Sequence, residues 1–177
     1  MEKTVAIVSD THGLVRPQVI DLLDGVDLIF HAGDIVIQTT LEMLQGIAPV
    51  YAVRGNCDQG KATMYLPKTQ YIELGKASIY MLHDLSQLDI VPRAADVHIV
   101  ISGHTHAFAL NQRDDVLYIN PGSCGPKRFS LPITMIKAAI CESQDGDTGR
   151  YKQNWTINVY DLEQMDILEC HQVEIKL

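Results

Sequence analysis

The sequence predicts an α/β fold of two packed mixed β-sheets flanked by helices, on three observations. Apolar, β-branched runs alternate with helix-patterned segments over the first two-thirds of the chain. The last third is strand-like with little helical periodicity between its runs. No internal repeat, low-complexity tract or linker divides the 177 residues. Residues 1–177 are therefore expected to form one domain with a substantial core.

The elements follow in order. TVAIVSD at 4–10 is an apolar run that reads as a buried strand. A helix is expected over roughly 17–24, with Pro17 in its first turn and Val19, Leu22 and Leu23 at helical spacing. VDLIFHAGD at 26–34 is the second strand, and a helix over 39–45 ends at Gly46. PVYAVRGN at 49–56 is the third strand. TQYIELGKASIYMLHD at 69–84 reads as a hairpin turning at Gly75-Lys76. A short helix is expected over 89–95, with Pro92 tolerated in its first turn. VHIVISGHTH at 97–106 is another buried strand running into a polar loop. AFALNQR, VLYINPGS, PITMIKAAICE, NWTINVYD and the C-terminal MDILECHQVEIKL are strand-like, and 143–153 is a polar hairpin loop.

Composition narrows the function classes. The chain is 46% apolar and 20% charged, which is ordinary for a soluble globular protein. The first apolar run meets Asp10 too soon for a signal peptide. No run approaches the ~18 apolar residues that cross a bilayer. A cytoplasmic location without membrane association is expected. The four cysteines (Cys57, Cys124, Cys141, Cys170) form no CxxC pair and read as reduced thiols. The formal charge is −8, and no basic patch exists to carry a long nucleic acid.

The chemistry lies where the polar residues fall. Five apolar strands each run into candidate metal ligands at their carboxyl ends: Asp10 and His12, Asp34, Asn56 with Asp58, His83, and His104 with His106. That edge is where open α/β sheets bind ligands. Asp10/His12 and His104/His106 are i, i+2 pairs, which face one side in extended backbone. Gly33, Gly55 and Gly103 precede ligands where the chain must turn tightly. Carboxylate, imidazole and amide without a cysteine cluster favour a divalent ion such as Mn²⁺, Fe²⁺ or Zn²⁺ over a structural zinc knot. Two acids, one amide and four imidazoles exceed the needs of one tetrahedral ion. They suit two ions bridged by a carboxylate.

These motifs, in this order, resemble the calcineurin-like metallophosphoesterase signature. The chain length, VSDTHG near the N-terminus and INPGS at 119–123 resemble its small YfcE-like phosphodiesterase branch. The resemblance implies a four-layer sandwich with two sheets between helices. It implies that Asp10, His12 and His106 hold one ion, that Asn56, His83 and His104 hold the second, and that Asp34 bridges them. The implied reaction is phosphodiester hydrolysis by a metal-bridging hydroxide. Asp10, Asp34, Asn56 and His104 then carry catalytic roles. Mn²⁺ is the expected ion, with Fe²⁺, Ni²⁺ or Zn²⁺ as alternatives.

Two positions depart from the pattern. His83 follows Leu82 where the family usually has glycine, and Cys57 stands where many members keep a histidine that helps the leaving group depart. Losing that proton source favours phosphodiesters over monoesters. Small-molecule phosphodiesters are the expected substrates, with a phosphomonoesterase, a phosphoprotein phosphatase or a non-catalytic scaffold of the same fold as alternatives. A homodimer or homotetramer is compatible with the sequence. Asp58 is a further catalytic candidate or a turn-stabilising residue. Cys57, Ser123 and Arg128 are the candidate substrate contacts, with Cys57 expected to be neither ligand nor nucleophile. His31, His98 and His171 are expected to be structural, although His31 sits beside Gly33-Asp34.

Overall fold

The structure is a computed structural model that describes residues 2–146 and 148–177. In chain order the elements are β1 (Glu2–Val8), α1 (Pro17–Leu22), β2 (Leu28–His31), α2 (Gln38–Gln45) and β3 (Val50–Ala52). The hairpin β4 (Thr69–Leu74) and β5 (Ala77–Leu82) follows, then β6 (Ile99–Ile101), β7 (Phe108–Arg113) and β8 (Val116–Pro121). Three long strands close the chain: β9 (Thr134–Gln144), β10 (Tyr151–Asp161) and β11 (Asp166–Lys176).

The strands form two mixed sheets, as expected. The first runs β11-β10-β9-β1-β2-β3 and the second β4-β5-β6-β8-β7. β1, β2 and β3 are mutually parallel, and β9, β10 and β11 form an antiparallel meander beside β1. In the second sheet β5, β6 and β8 are parallel, with β4 and β7 antiparallel at the edges.

Strand periodicity builds the sandwich. Val5 and Ile7 of β1 enter the core between the sheets, where Ile79, Met81, Ile99, Ile101, Leu117 and Ile119 meet them from the second sheet. Ala6 and Val8, one residue out of phase, face the other way and pack with Val19, Leu23 and Leu44 of the helical layer. Trp155 of β10 is fully buried in the inter-sheet core.

The outer layer of the second sheet differs from expectation. The helix expected over 89–95 is a single 3₁₀ turn, Pro92–Ala95, and a second 3₁₀ turn spans Leu85–Gln87. Pro92 fits a first turn, but Asp96 already adopts a left-handed conformation (φ 55°), so no room remains for an α-helix. The helix after β1 also stops at Leu22, and the loop expected over 143–153 narrows to the span between Gln144 and Tyr151. Asp147 of that loop lies outside the described residues. No helix among the described residues is long and apolar enough to cross a membrane.

Parallel strands put their carboxyl ends on one rim. Loop-to-loop hydrogen bonds extend the rim of each sheet: Asp10 N–H donates to the Gly33 carbonyl (3.0 Å) in the first, and Gly103 N–H to the His83 carbonyl (2.9 Å) in the second. The His83 Nδ1–H donates across the sandwich to the Ala32 carbonyl at 2.7 Å.

Candidate metal centre

The rim gathers every residue expected to hold metal. Asp10, His12 and His106 present ligand atoms within 4.8 Å of one another, as do Asp10, Asp34 and His83. His106 Nε2 is 3.2 Å from Asp10 Oδ1. His12 Nε2 lies 3.9 Å from Asp10 Oδ1 and 3.7 Å from Asp34 Oδ2, and the His12 and His106 rings stack at 5.3 Å. His83 Nε2 is 3.5 Å from Asp34 Oδ2. On the open side, Asn56 Oδ1 is 3.2 Å from His83 Nε2 and 3.1 Å from His104 Nδ1.

The donor set fits divalent cations. Asp10 is wholly buried, yet its Oδ1 has no hydrogen-bond partner among the described residues, and neither does His106 Nδ1. A carboxylate oxygen stranded beside two imidazoles is costly unless a cation meets it. The Ala32 carbonyl can only accept, so His83 donates to it from Nδ1–H, which turns Nε2 toward Asp34 and Asn56. Burial pushes the Asp34 carboxyl up. Hydrogen bonds from His83 and from the Cys57 N–H, at 2.8 Å, outweigh burial and hold it well below the usual carboxylate range.

The backbone here is unusual. Asp10, His12, Asp34, His104 and His106 all have positive φ, between 45° and 69°. Asp and His are among the few residue types that tolerate this region, and such conformations cluster at functional sites. The three glycines serve by different means than expected. Gly33 alone has positive φ (96°). At Gly55 a Cβ would lie 2.1 Å from Asp34 Oδ1, and at Gly103 it would lie 1.9 Å from Ser9 Oγ, so closeness excludes a side chain at both.

Several residues act from behind the rim. Asp58 is buried, and its carboxylate accepts from the N–H groups of Asp34 (2.9 Å), Gly55 (2.8 Å) and Val36 (2.6 Å). It fixes the loops that carry Asp34 and Asn56. His31, wholly buried, receives the Gly33 N–H on Nδ1 (3.2 Å) and donates from Nε2 to Thr11 Oγ1 (3.0 Å). Its pKa is pushed down to about 3, chiefly by burial and by the nearby His83, so it stays neutral. Asn120 Nδ2 donates to the Gly103 carbonyl at 2.7 Å. Sequence reasoning gave Asn120 and Thr11 no role of their own, although INPGS at 119–123 and VSDTHG at 8–13 contain them.

Ser123 is buried, and its hydroxyl donates to the Asp10 carbonyl at 3.0 Å, which braces the loop after β1. Arg128 is exposed, with Nη2 3.3 Å from His12 Nε2, at the mouth of the site. Cys57 is half-buried, and its thiol receives the Asn56 Nδ2–H at 3.3 Å. Burial and the Asp34 carboxylate push that thiol up. Asp84 caps the 3₁₀ turn at Ser86. A groove of about 810 Å³ opens from Asn56, His83 and His104 toward Arg54 and Lys68, wide enough for a small organic substrate.

Comparison with known proteins finds likeness in both sequence and fold. A calcineurin-like phosphoesterase superfamily domain matches residues 4–143. A protein from Methanocaldococcus jannaschii named a probable metallophosphoesterase is 33% identical over 144 residues, covering 74% of this chain and 73% of its own. The fold is similar to that of YfcE, a phosphoesterase from E. coli, with a TM-score of 0.69, 23% identity and coverage of 97% and 99% of the two chains. It is also similar to Vacuolar Protein Sorting 29 from Cryptosporidium parvum, with a TM-score of 0.75, 21% identity and 99% coverage of both.

Proposed function

The chain belongs to the calcineurin-like phosphoesterase superfamily, and we propose that it hydrolyses small phosphodiesters with two divalent cations held at this rim. The observation that carries the proposal is the buried, partnerless Asp10 Oδ1 amid two converging ligand clusters. Asp10, His12 and His106 would hold one cation. Asn56, His83 and His104 would hold the other, with Asp34 between them. Mn²⁺ is the proposed ion, since the carboxylate and amide oxygens of the set suit it. Bound there, divalent cations supply Lewis acidity toward a phosphoryl oxygen and lower the pKa of water to near neutrality.

The chain's own residues do the rest. Asp58 and His31 hold the ligand-bearing loops in place, so the ligands need not reorganise during turnover. Arg128 is placed to meet a non-bridging phosphoryl oxygen at the mouth, where a guanidinium binds phosphate well. The groove beside His104 accommodates one alcohol arm of the ester. No histidine follows Asn56 to protonate a poor leaving group, so substrates with good leaving groups or diester linkages are favoured.

The test is hydrolysis of bis(4-nitrophenyl) phosphate and 4-nitrophenyl phosphate in metal-defined buffer with Mn²⁺. The diester is expected to turn over faster. A strong monoester preference would move the assignment to a phosphomonoesterase or phosphoprotein phosphatase. The similarity to Vacuolar Protein Sorting 29 raises a scaffold reading, which predicts no turnover with Mn²⁺, Fe²⁺, Ni²⁺ or Zn²⁺. Asp34→Asn is expected to lower kcat by at least about a hundredfold, the scale of removing a charge-stabilising group, and to weaken Mn²⁺ binding. Near-wild-type turnover by this variant overturns the scheme.

A further inference from the structure

Cys57 has no part in the chemistry above, yet its thiol faces the same rim. Its Sγ, one ring nitrogen of His12 and one carboxylate oxygen of Asp34 all lie within 4.8 Å of one another. We propose that His12, Asp34 and Cys57 form a mixed nitrogen, oxygen and sulfur site that captures a thiophilic divalent cation, Zn²⁺ or Cd²⁺. The inference rests on reading the rim as a metal site.

Tetrahedral zinc bonds of about 2.0–2.3 Å put the ligand atoms of one ion roughly 3.3–3.8 Å apart. Side-chain rotations that close the present spacing by up to about 1.5 Å complete the set. The loop already holds the thiol in place. The Cys57 N–H donates to Asp34 Oδ1 at 2.8 Å, the Asn56 amide donates to Sγ at 3.3 Å, and Asp58 secures Gly55 from below. The shared ligand His12 also borders an oxygen that a cation would satisfy. The wholly buried Asp10 Oδ1, which has no hydrogen-bond partner, is 3.9 Å from Nε2 of the same His12.

Softness decides which cation. Thiolate favours Zn²⁺ and Cd²⁺ over Mn²⁺, whose preference is for oxygen. On coordination the S–H bond breaks, its proton leaves to solvent, and a sulfur lone pair forms the metal–sulfur bond. No oxidant or reductant is needed. His12 and Asp34 also belong to the proposed hard-ion ligands, so the two loadings exclude one another. The thiophilic ion is then an inhibitor that competes with Mn²⁺.

The experiment titrates the full-length metal-free protein with Cd²⁺ and with Co²⁺. It uses a Cys141→Ser, Cys170→Ser background, because those two thiols are exposed while Cys124 is buried. The readout is sulfur-to-metal charge-transfer absorption together with affinity. The band is expected in this background and is expected to vanish in Cys57→Ala. Cd²⁺ affinity is expected to fall about 10- to 100-fold, the loss seen when a metal site's supporting groups are altered. Cys57→Ser, nearly isosteric, must show the same loss, which separates ligation from misfolding. Absence of the band from the parent, its survival in either variant, or unchanged Cd²⁺ affinity overturns the proposal. Mn²⁺-dependent diester hydrolysis by the wild type is a separate measurement. Its failure with the band present sinks the catalytic reading and leaves this one standing.

Discussion

At the residue scale, Asp58 shows how one carboxylate can position a site through backbone groups alone. It gathers three backbone N–H groups from two loops. Asp58→Asn replaces one accepting oxygen with a donor, so at least one of these N–H groups loses its partner. The variant is expected to unfold at lower urea, with a loss of about 1–3 kcal/mol for the unsatisfied buried group. Mn²⁺ affinity is expected to fall with it, because the loops bearing Asp34 and Asn56 relax. Unchanged values for both would return Asp58 to an ordinary turn residue.

His31 makes a pH prediction. Its folded-state pKa, about 3, lies below the unfolded value of 6.5. A group depressed in this way contributes stability that is complete above pH 6.5. That stability is lost as pH falls from there toward 3, because the unfolded chain binds the proton first. Each pH unit in that window costs about 1.4 kcal/mol. Stability of the metal-free protein, measured by urea unfolding at steps between pH 7 and pH 4, is expected to fall more steeply than that of His31→Gln. Parallel slopes would show that His31 is not the group responsible. Sequence pattern marked the rim residues well, since ligand types at strand ends are visible in one dimension. It could not separate His31 as brace from His31 as bystander, because its partner Thr11 meets it only through the parallel pairing of β1 with β2.

At the element scale, the strand–loop junctions are the working parts. Continuous apolar runs made the strands legible: Val5 and Ile7 enter the core between the sheets while Ala6 and Val8 face the helices, so burial on both faces leaves no polar alternation. The 3₁₀ turn at 92–95 was not legible as such, because one proline-started turn and the start of a short helix share a sequence. The left-handed ligand residues were hidden too. Only glycine advertises positive φ in a sequence, and here Asp and His adopt it. Gly55 makes the point testable, since its Cβ would meet the Asp34 carboxylate and the Asp34 backbone nitrogen at 2.4 Å. Gly55→Ala is expected to displace Asp34, cutting Mn²⁺-dependent kcat/KM roughly a hundredfold, the scale of a 1 Å misplacement at a catalytic group. Wild-type turnover by this variant would show that the loop after β3 yields freely.

At the scale of the whole molecule, the sandwich concentrates negative charge where its two rims meet. Asp10, Asp34 and Asp58 are all nearly or wholly buried there, in a chain whose formal charge is already −8. Left-handed backbone at five ligand residues adds strain to the same rim. The folded state should therefore gain from cations that the unfolded chain cannot gather, because the ligands come from five separate strand ends. A cation at a hundred times its Kd contributes about 2.7 kcal/mol. A protein of this size gains about 2–4 °C in Tm per kcal/mol. Saturating one site with Mn²⁺ is expected to raise Tm by roughly 5–11 °C, and a chelator should reverse the shift. In Asp34→Asn most of the rise should vanish, since the residue shared between both ligand sets has lost its charge. Co²⁺ should behave as Mn²⁺ does, because the stabilisation belongs to the site and not to one ion. An equal rise in Asp34→Asn would place the stabilising cations elsewhere on this acidic surface and remove the link between the rim's strain and its ligands.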